Sequence, residues 1–252
     1  MGRSELTSGI IALLLLVCAI VPQTAWADDT GLIVSAAAEK KFNKKATMSL
    51  EAEFRTRNDF RTADRLGISL DGQYKFNSWL KGDIGYQLLI DNNVEKLTSN
   101  PEGTYNNWRP SYWATRHRVY ASLIASYKVQ RVTFSLRERY RLTYRPEHIT
   151  TRYDFDNEWW EDTKVKSKLK HVLRSRAKVD WKIPNSKFSP WASFELFNSL
   201  SLDKWRLQAG VDYAPTKKHS FELFYRYQNI CGDGDDNETN SHHIGVGYKY
   251  KF

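Results

Sequence analysis

The sequence predicts an all-β protein, an antiparallel transmembrane outer-membrane β-barrel of about ten to twelve strands with a polar, charged lumen. Three observations predict it. Apolar and polar residues alternate with period two in segment after segment, as in strands that turn one face to an apolar phase. Aromatic residues make up 14% of a chain with mean hydropathy −0.61, and barrels place such residues in girdles at the membrane interfaces. Short connections alternate with long ones, as they do between periplasmic turns and outer loops.

The chain opens with a charged start, an apolar run from Ile10 to Val21, and Ala25-Trp26-Ala27. That order reads as a cleaved secretory signal peptide over residues 1–27, too short in its apolar part to span a bilayer. One barrel domain over residues 28–252 is expected to follow. A lipoprotein signal at Cys18 is disfavoured because Val17 stands where a small residue is wanted. Cys231 then has no partner for an internal disulfide and no C-x-x-C zinc spacing exists. The net charge of +9 could suit nucleic acid, but export argues against that partner.

The first segment is Leu32–Phe42. In the second, Ala46, Met48, Leu50, Ala52 and Phe54 share a face opposite Thr47, Ser49, Glu51, Glu53, Arg55 and Arg57. Next, Leu66, Ile68, Leu70 and Tyr74 oppose Arg65, Ser69, Asp71 and Gln73, and Leu80, Ile84, Tyr86 and Leu88 oppose Lys81, Asp83 and Gln87. Val119, Ala121 and Leu123 oppose Arg118 and Ser122. Phe134, Leu136, Tyr140 and Leu142 oppose Arg137, Arg139 and Arg141. Leu173, Ala177 and Val179 oppose Arg174, Arg176 and Lys178. Further strands run near Pro190–Phe197, Leu207–Tyr213 and Phe221–Tyr227. The chain closes on I-G-V-G-Y-K-Y-K-F, with Ile244, Val246, Tyr248, Tyr250 and Phe252 on one face. These make eleven segments. Bacterial barrels are normally even, so ten or twelve staves are expected, with any missing one hidden in a long link.

Tight turns are expected at Asn43-Lys44-Lys45, Asn77-Ser78, Gln130-Arg131, Pro184-Asn185-Ser186 and Ala214-Pro215-Thr216, and long links at Asn58–Asp64, Asn92–Tyr112, Arg145–Lys166 and Ile230–His242. Phe76, Trp79, Tyr127, Trp181, Phe188, Tyr213, Tyr250 and Phe252 lie beside the short turns, which predicts a periplasmic aromatic belt. A soluble lipocalin-type barrel would need an apolar interior; the interior face here is charged.

The chain resembles the domain-of-unknown-function family 2490 of bacterial outer-membrane β-barrel proteins. Glu39-Lys40-Lys41-Phe42, Leu50–Arg57 and Tyr74–Lys81 carry the likeness, with Leu136–Tyr140, Tyr144-Arg145-Pro146-Glu147 and Tyr225-Arg226-Tyr227-Gln228. The resemblance spans nearly the whole chain after residue 27. It implies a Gram-negative outer-membrane barrel and brings no catalytic residues. A strand ending in Tyr248, Tyr250 and Phe252 likewise resembles the closing strand that serves such barrels as an assembly signal. The implied partners are outer-membrane lipids and lipopolysaccharide, and the barrel assembly machinery.

The expected lumen charge network is Glu51, Glu53, Arg55, Arg57, Arg118, Arg137, Arg139, Arg141, Arg174, Arg176, Glu195, Glu222 and Arg226. Guanidinium groups crossing a narrow lumen pair bidentately with carboxylates. The leading expectation is therefore a structural or small-solute barrel stiffened by Arg/Glu pairs, and the alternative is a narrow anion-selective channel. Arg137, Arg139 and Arg141 should stack beside Arg174 and Arg176 on a neighbouring strand, and Glu51 and Glu53 are expected to reach across the lumen to neutralise them. A lipid-modifying enzyme would need a Ser–His pair near the outer rim. His117 should face lipid with no serine beside it, His242 and His243 should point to opposite faces, and G-x-S-x-G and H-E-x-x-H are absent. Asp233, Asp235 and Asn237 have calcium-loop offsets, but Glu238 and Ile244 stand at positions that need Gly and Glu. No cofactor is expected.

Overall fold

The computed structural model describes residues 28–231 and 239–252. Residues 1–27, read as a signal peptide, and the acidic segment 232–238 lie outside the described residues.

Fifteen strands are present: β1 (Asp29–Lys41), β2 (Ala46–Arg57), β3 (Thr62–Lys75), β4 (Leu80–Asn93), β5 (Lys96–Ser99), β6 (Tyr105–Arg109), β7 (Tyr112–Val129), β8 (Val132–Arg145), β9 (His148–Asp154), β10 (Trp159–Val165), β11 (Lys168–Trp181), β12 (Phe188–Asn198), β13 (Leu202–Tyr213), β14 (His219–Ile230) and β15 (Ser241–Lys251). Eleven of them close a barrel in the order β1-β15-β14-β13-β12-β11-β8-β7-β4-β3-β2. The expected ten or twelve is corrected to eleven: each segment recognised in the sequence is a stave. An odd ring of alternating strands must bring its first and last staves together in the same direction. The seam shows this, because β1 and β15 pair in parallel from Asp29↔Ser241 to Glu39↔Lys251.

Strands do lie in the long links, yet none is a stave. β5, β6, β9 and β10 form a separate four-stranded sheet in the order β10-β9-β6-β5, above the long-loop end of the barrel.

Alternation sorts the two barrel surfaces. Leu50, Ile68, Ile84, Leu123, Leu136, Leu173 and Val246 are exposed on the outer face. Arg65, Ser69, Asp91, Arg137, Glu195 and Arg226 are buried on the inner one. A barrel whose exposed surface is apolar and whose interior is charged is inside-out relative to a soluble protein; this polarity suits hydrocarbon outside and water or ion pairs inside.

Two aromatic levels bound the apolar band. Beside the short turns, Phe188 stacks on Tyr213 at 4.7 Å and Tyr250 meets Phe252 edge-on at 4.8 Å. Phe221 reaches Tyr248, and Tyr74 reaches Phe76. Toward the long-loop end, Tyr–His pairs bridge adjacent staves on the same outer face. Tyr86 and His117 are hydrogen-bonded at 2.7 Å, Tyr140 and His171 at 2.5 Å, and Tyr225 and His242 at 2.5 Å. His117 to Tyr127, His171 to Trp181 and His242 to Phe252 are each ten residues apart on one stave. Ten residues rise ~33 Å along a strand, or ~25 Å in height at a tilt of about 40°, the thickness of a barrel's apolar band.

Candidate functional site: the basic chamber of the lumen

The inward rows of β2, β3, β4, β7, β8, β11, β13 and β14 enclose a chamber of ≈ 290 Å³. Its wall carries ten basic residues, Arg55, Arg65, Arg118, Arg137, Arg139, Arg141, Arg174, Lys204, Arg206 and Arg226, against three acidic ones, Glu51, Glu53 and Asp71. The excess follows from the sequence, since Arg at spacing two on a strand repeats on one face.

The β8–β11 register sets arginines side by side, with Arg139 opposite Arg174 and Arg137 opposite Arg176. Like charges in this position repel. The carboxylate that relieves them is Glu195, whose side chain has no exposed surface. β12 places Glu195 opposite Arg176, and β13 places Arg206 opposite Glu195. Its oxygens lie 2.5 Å from Arg174, 3.4 Å from Arg206, 3.6 Å from Arg137 and 4.0 Å from Arg176. One negative charge therefore serves four guanidinium groups.

The expectation that Glu51 and Glu53 neutralise this ladder across the lumen is corrected. Glu53 accepts from Arg55 on its own strand at 2.7 Å. Glu51 lines the chamber, and Glu222 stands on β14 opposite Gly247. The second relief of the ladder comes from Asp83, 3.2 Å from Arg139. The Arg139 guanidinium also donates to Ser122 at 2.7 Å and lies 3.9 Å from the Tyr120 ring centroid. Tyr120 in turn donates to Asp71.

Arg118 donates to Gln87 at 2.8 Å and to Thr143 at 3.2 Å. Arg226 donates to the Gln208 side-chain oxygen at 2.8 and 3.1 Å. Arg57 sits apart from the chamber at the long-loop rim, donating to the Asn92 carbonyl at 2.5 Å and to Asp64 at 3.2 Å. Nearby, Asp91 is shared by Arg65 and Arg116. Even so, the Nε of Arg137, the Nε of Arg174 and Nη1 of Arg226 are buried without a hydrogen-bond acceptor among the described residues, and Arg137 Nη2 and Arg176 Nε have only the longer Glu195 ion pairs.

Two features escape the alternation rule. Phe197, 1% exposed, lies inside the barrel among cations. Arg206, Arg174, Lys204 and Arg141 stand 4.8, 5.0, 5.0 and 5.8 Å from its ring centroid, which adds a π-face to the partners of those cations. Second, Ile33, Trp191 and Phe224 form a buried apolar cluster inside the barrel. The register makes it one row across five staves: Ile33, Gly245, Phe224, Gly210, Trp191. Large and glycine positions alternate along that row. A Cβ at Gly245 would collide with the Phe224 ring, and one at Gly210 with Phe224 Cβ, so each glycine is the space its neighbour occupies. The lumen is therefore narrowed by side chains as well as by ion pairs. Arg65 is read on the inward face, whereas Lys204 and Arg206 precede the expected Leu207–Tyr213 strand, beyond where the pattern alone extends.

His117 and His171 face outward with Nδ1 bonded to tyrosine, while His243 turns inward to the long-loop mouth beside Arg55 and Arg226.

Comparison with known proteins gives a family. The family model described as "Protein of unknown function (DUF2490)" matches residues 30–239. No curated protein matches. Among solved structures, the β domain of the Bordetella autotransporter Brka is similar over 81% of this chain and 78% of its own, at 15% identity and a TM-score of 0.49. The NanC porin is similar over 86% of this chain and 95% of its own, at 13% identity and a TM-score of 0.47.

Proposed function

The chain belongs to the DUF2490 family, and we propose that it is an outer-membrane barrel whose lumen admits and selects small anions. The observation that carries this reading is the chamber wall, where ten basic groups face three acidic ones with Glu195 and Asp83 behind them. A confined wall of fixed positive charge attracts anions and repels cations, the basis of selectivity in rings of arginine and lysine. The ion pairs of Glu195 and Asp83 hold the guanidinium groups in place, so the structural network and the anion path are one device.

In this reading residues 1–27 direct export and are removed. The short turns face the periplasm, the four-stranded sheet stands outside the cell, and lipopolysaccharide surrounds the upper band. Tyr248, Tyr250 and Phe252 act as the signal read by the barrel assembly machinery. The experiment is conductance of purified protein in planar bilayers under a salt gradient. Anion-selective steps support the reading. A silent barrel would favour the second one, a closed structural barrel, which the buried Ile33–Trp191–Phe224 row and the fully enclosed Glu195 favour.

A further inference from the structure

The four-stranded sheet carries an aromatic face that neither the lumen nor the barrel wall uses. Across its strands, Trp160, Tyr153, Trp108 and Leu97 stand directly opposite one another. Trp108 and Trp160 approach to 5.6 Å between ring centroids, and Tyr153 meets Trp160 at 5.4 Å and Phe155 at 5.1 Å. Tyr105 extends the group to Phe155 at 5.8 Å. The cluster is preassembled, yet Trp160 is 53% and Tyr105 58% exposed. Rings packed against each other and still open to solvent mark a surface for a partner.

Its direction is set by the barrel. Tyr112 alternates with the buried, inward Ala114 and Arg116, and stacks on His148 at 5.0 Å. The His148 face of β9 therefore continues the inner surface. Tyr153, five residues on in the same strand, lies on the opposite face and continues the outer, lipid-facing surface past exposed Trp113 and Tyr144. The aromatic face thus lies on the lipid-facing side, beyond the long-loop ends of the staves.

Polar groups share that face by parity: Thr151 beside Tyr153, and Asp162 beside Trp160. Aromatic faces with a negative quadrupole, flanked by hydroxyl and carboxylate, suit a pyranose ring. Its C–H hydrogens meet the ring faces and its hydroxyls meet the polar groups.

We propose that this face binds the core saccharide of lipopolysaccharide in the surrounding outer leaflet, an inference that rests on the outer-membrane reading for its source of ligand. The test measures binding of purified core oligosaccharide to the detergent-solubilised barrel by isothermal titration calorimetry. It compares wild type, Trp108→Ala with Trp160→Ala, and Trp159→Ala on the opposite face, each checked for folding by heat-modifiable gel mobility. Wild type and Trp159→Ala should bind alike, and the double variant at least tenfold more weakly. Full-core lipopolysaccharide should co-purify with wild type in larger amount than deep-rough lipopolysaccharide, which lacks the outer sugars. Equal binding by all three proteins, or no binding by wild type, overturns the proposal. So does a loss of self-association in the double variant with oligosaccharide binding unchanged, which assigns the face to contact between copies. Oligosaccharide binding by a protein that fractionates away from the outer membrane would instead overturn the location alone.

Discussion

Arg139 stands directly opposite Arg174 across the β8–β11 pair, and neither is neutralised by the other's strand. Their relief comes from outside the pair, Asp83 on β4 for Arg139 and Glu195 on β12 for Arg174. The arginine ladder is thus clamped from both flanks, and its flanking carboxylates are the groups to test.

Glu195→Gln should destabilise the barrel strongly. The substitution leaves four guanidinium groups around a neutral amide in a site without solvent exposure. Removing one partner of a buried pair costs about 3–5 kcal/mol. A fall in the temperature at which heat-modifiable mobility is lost checks this. Glu51→Gln with Glu53→Gln, which disturbs the Arg55 pair and leaves the Glu195 hub intact, should lower that temperature less. Equal effects would contradict the hub.

Gly245→Ala should destabilise by about 1–3 kcal/mol, the range for overpacking a filled interior, because the new Cβ falls on the Phe224 ring. Combining it with Phe224→Leu should recover part of the loss. Additive losses in the pair would show that the ring and the glycine do not share one space.

These two predictions mark how far the sequence could be read. Period-two alternation located every stave and its lipid face, because one surface meets hydrocarbon and the other does not. It also placed Arg137 and Arg139 beside Arg176 and Arg174, since strands joined by one link are neighbours. Partner choice was not legible. Glu53 has Arg55 two residues away, and only the register of β11, β12 and β13 brings Glu195 among four arginines. Phe224 and Trp191 inside the barrel run against the preference of aromatics for lipid; the signal was Gly210 and Gly245, whose roles need the cross-strand register. The odd strand count could not be accepted from sequence because its parallel seam is a property of the closed ring.

Phe252→Asp should reduce assembly into the outer membrane. Phe252 is 70% exposed in the short-turn belt and packs edge-on against Tyr250, so a carboxylate there enters the membrane interface. Quantifying folded protein in the outer-membrane fraction checks this; unchanged levels would count against the belt and against the assembly signal.

The β9–β10 turn should loosen in acid. The Asp154 carboxylate accepts from the backbone N–H of Asp156 at 2.9 Å and of Asn157 at 3.2 Å, and from the Asn157 side-chain amide at 2.9 Å. The Asn157 amide bond first, then the backbone donors, hold its pKa below 3.8. A group depressed in the folded state contributes stability above its unfolded pKa and loses it as pH falls through the lower folded one. Amide hydrogen exchange at Asp156 and Asn157 should therefore be protected near neutral pH and lose protection as pH falls through the lowered folded pKa, and Asp154→Ala should lose it throughout. Protection unchanged by the substitution would contradict the turn's dependence on Asp154.

The central claim is that the chamber selects anions by its fixed charge. The direct measurement is the reversal potential of single channels in planar bilayers across a tenfold potassium chloride gradient. The account predicts a potential with the sign of chloride selectivity, moved toward zero by Arg137→Gln with Arg174→Gln. A cation-selective potential, or one unmoved by losing both arginines, would contradict it.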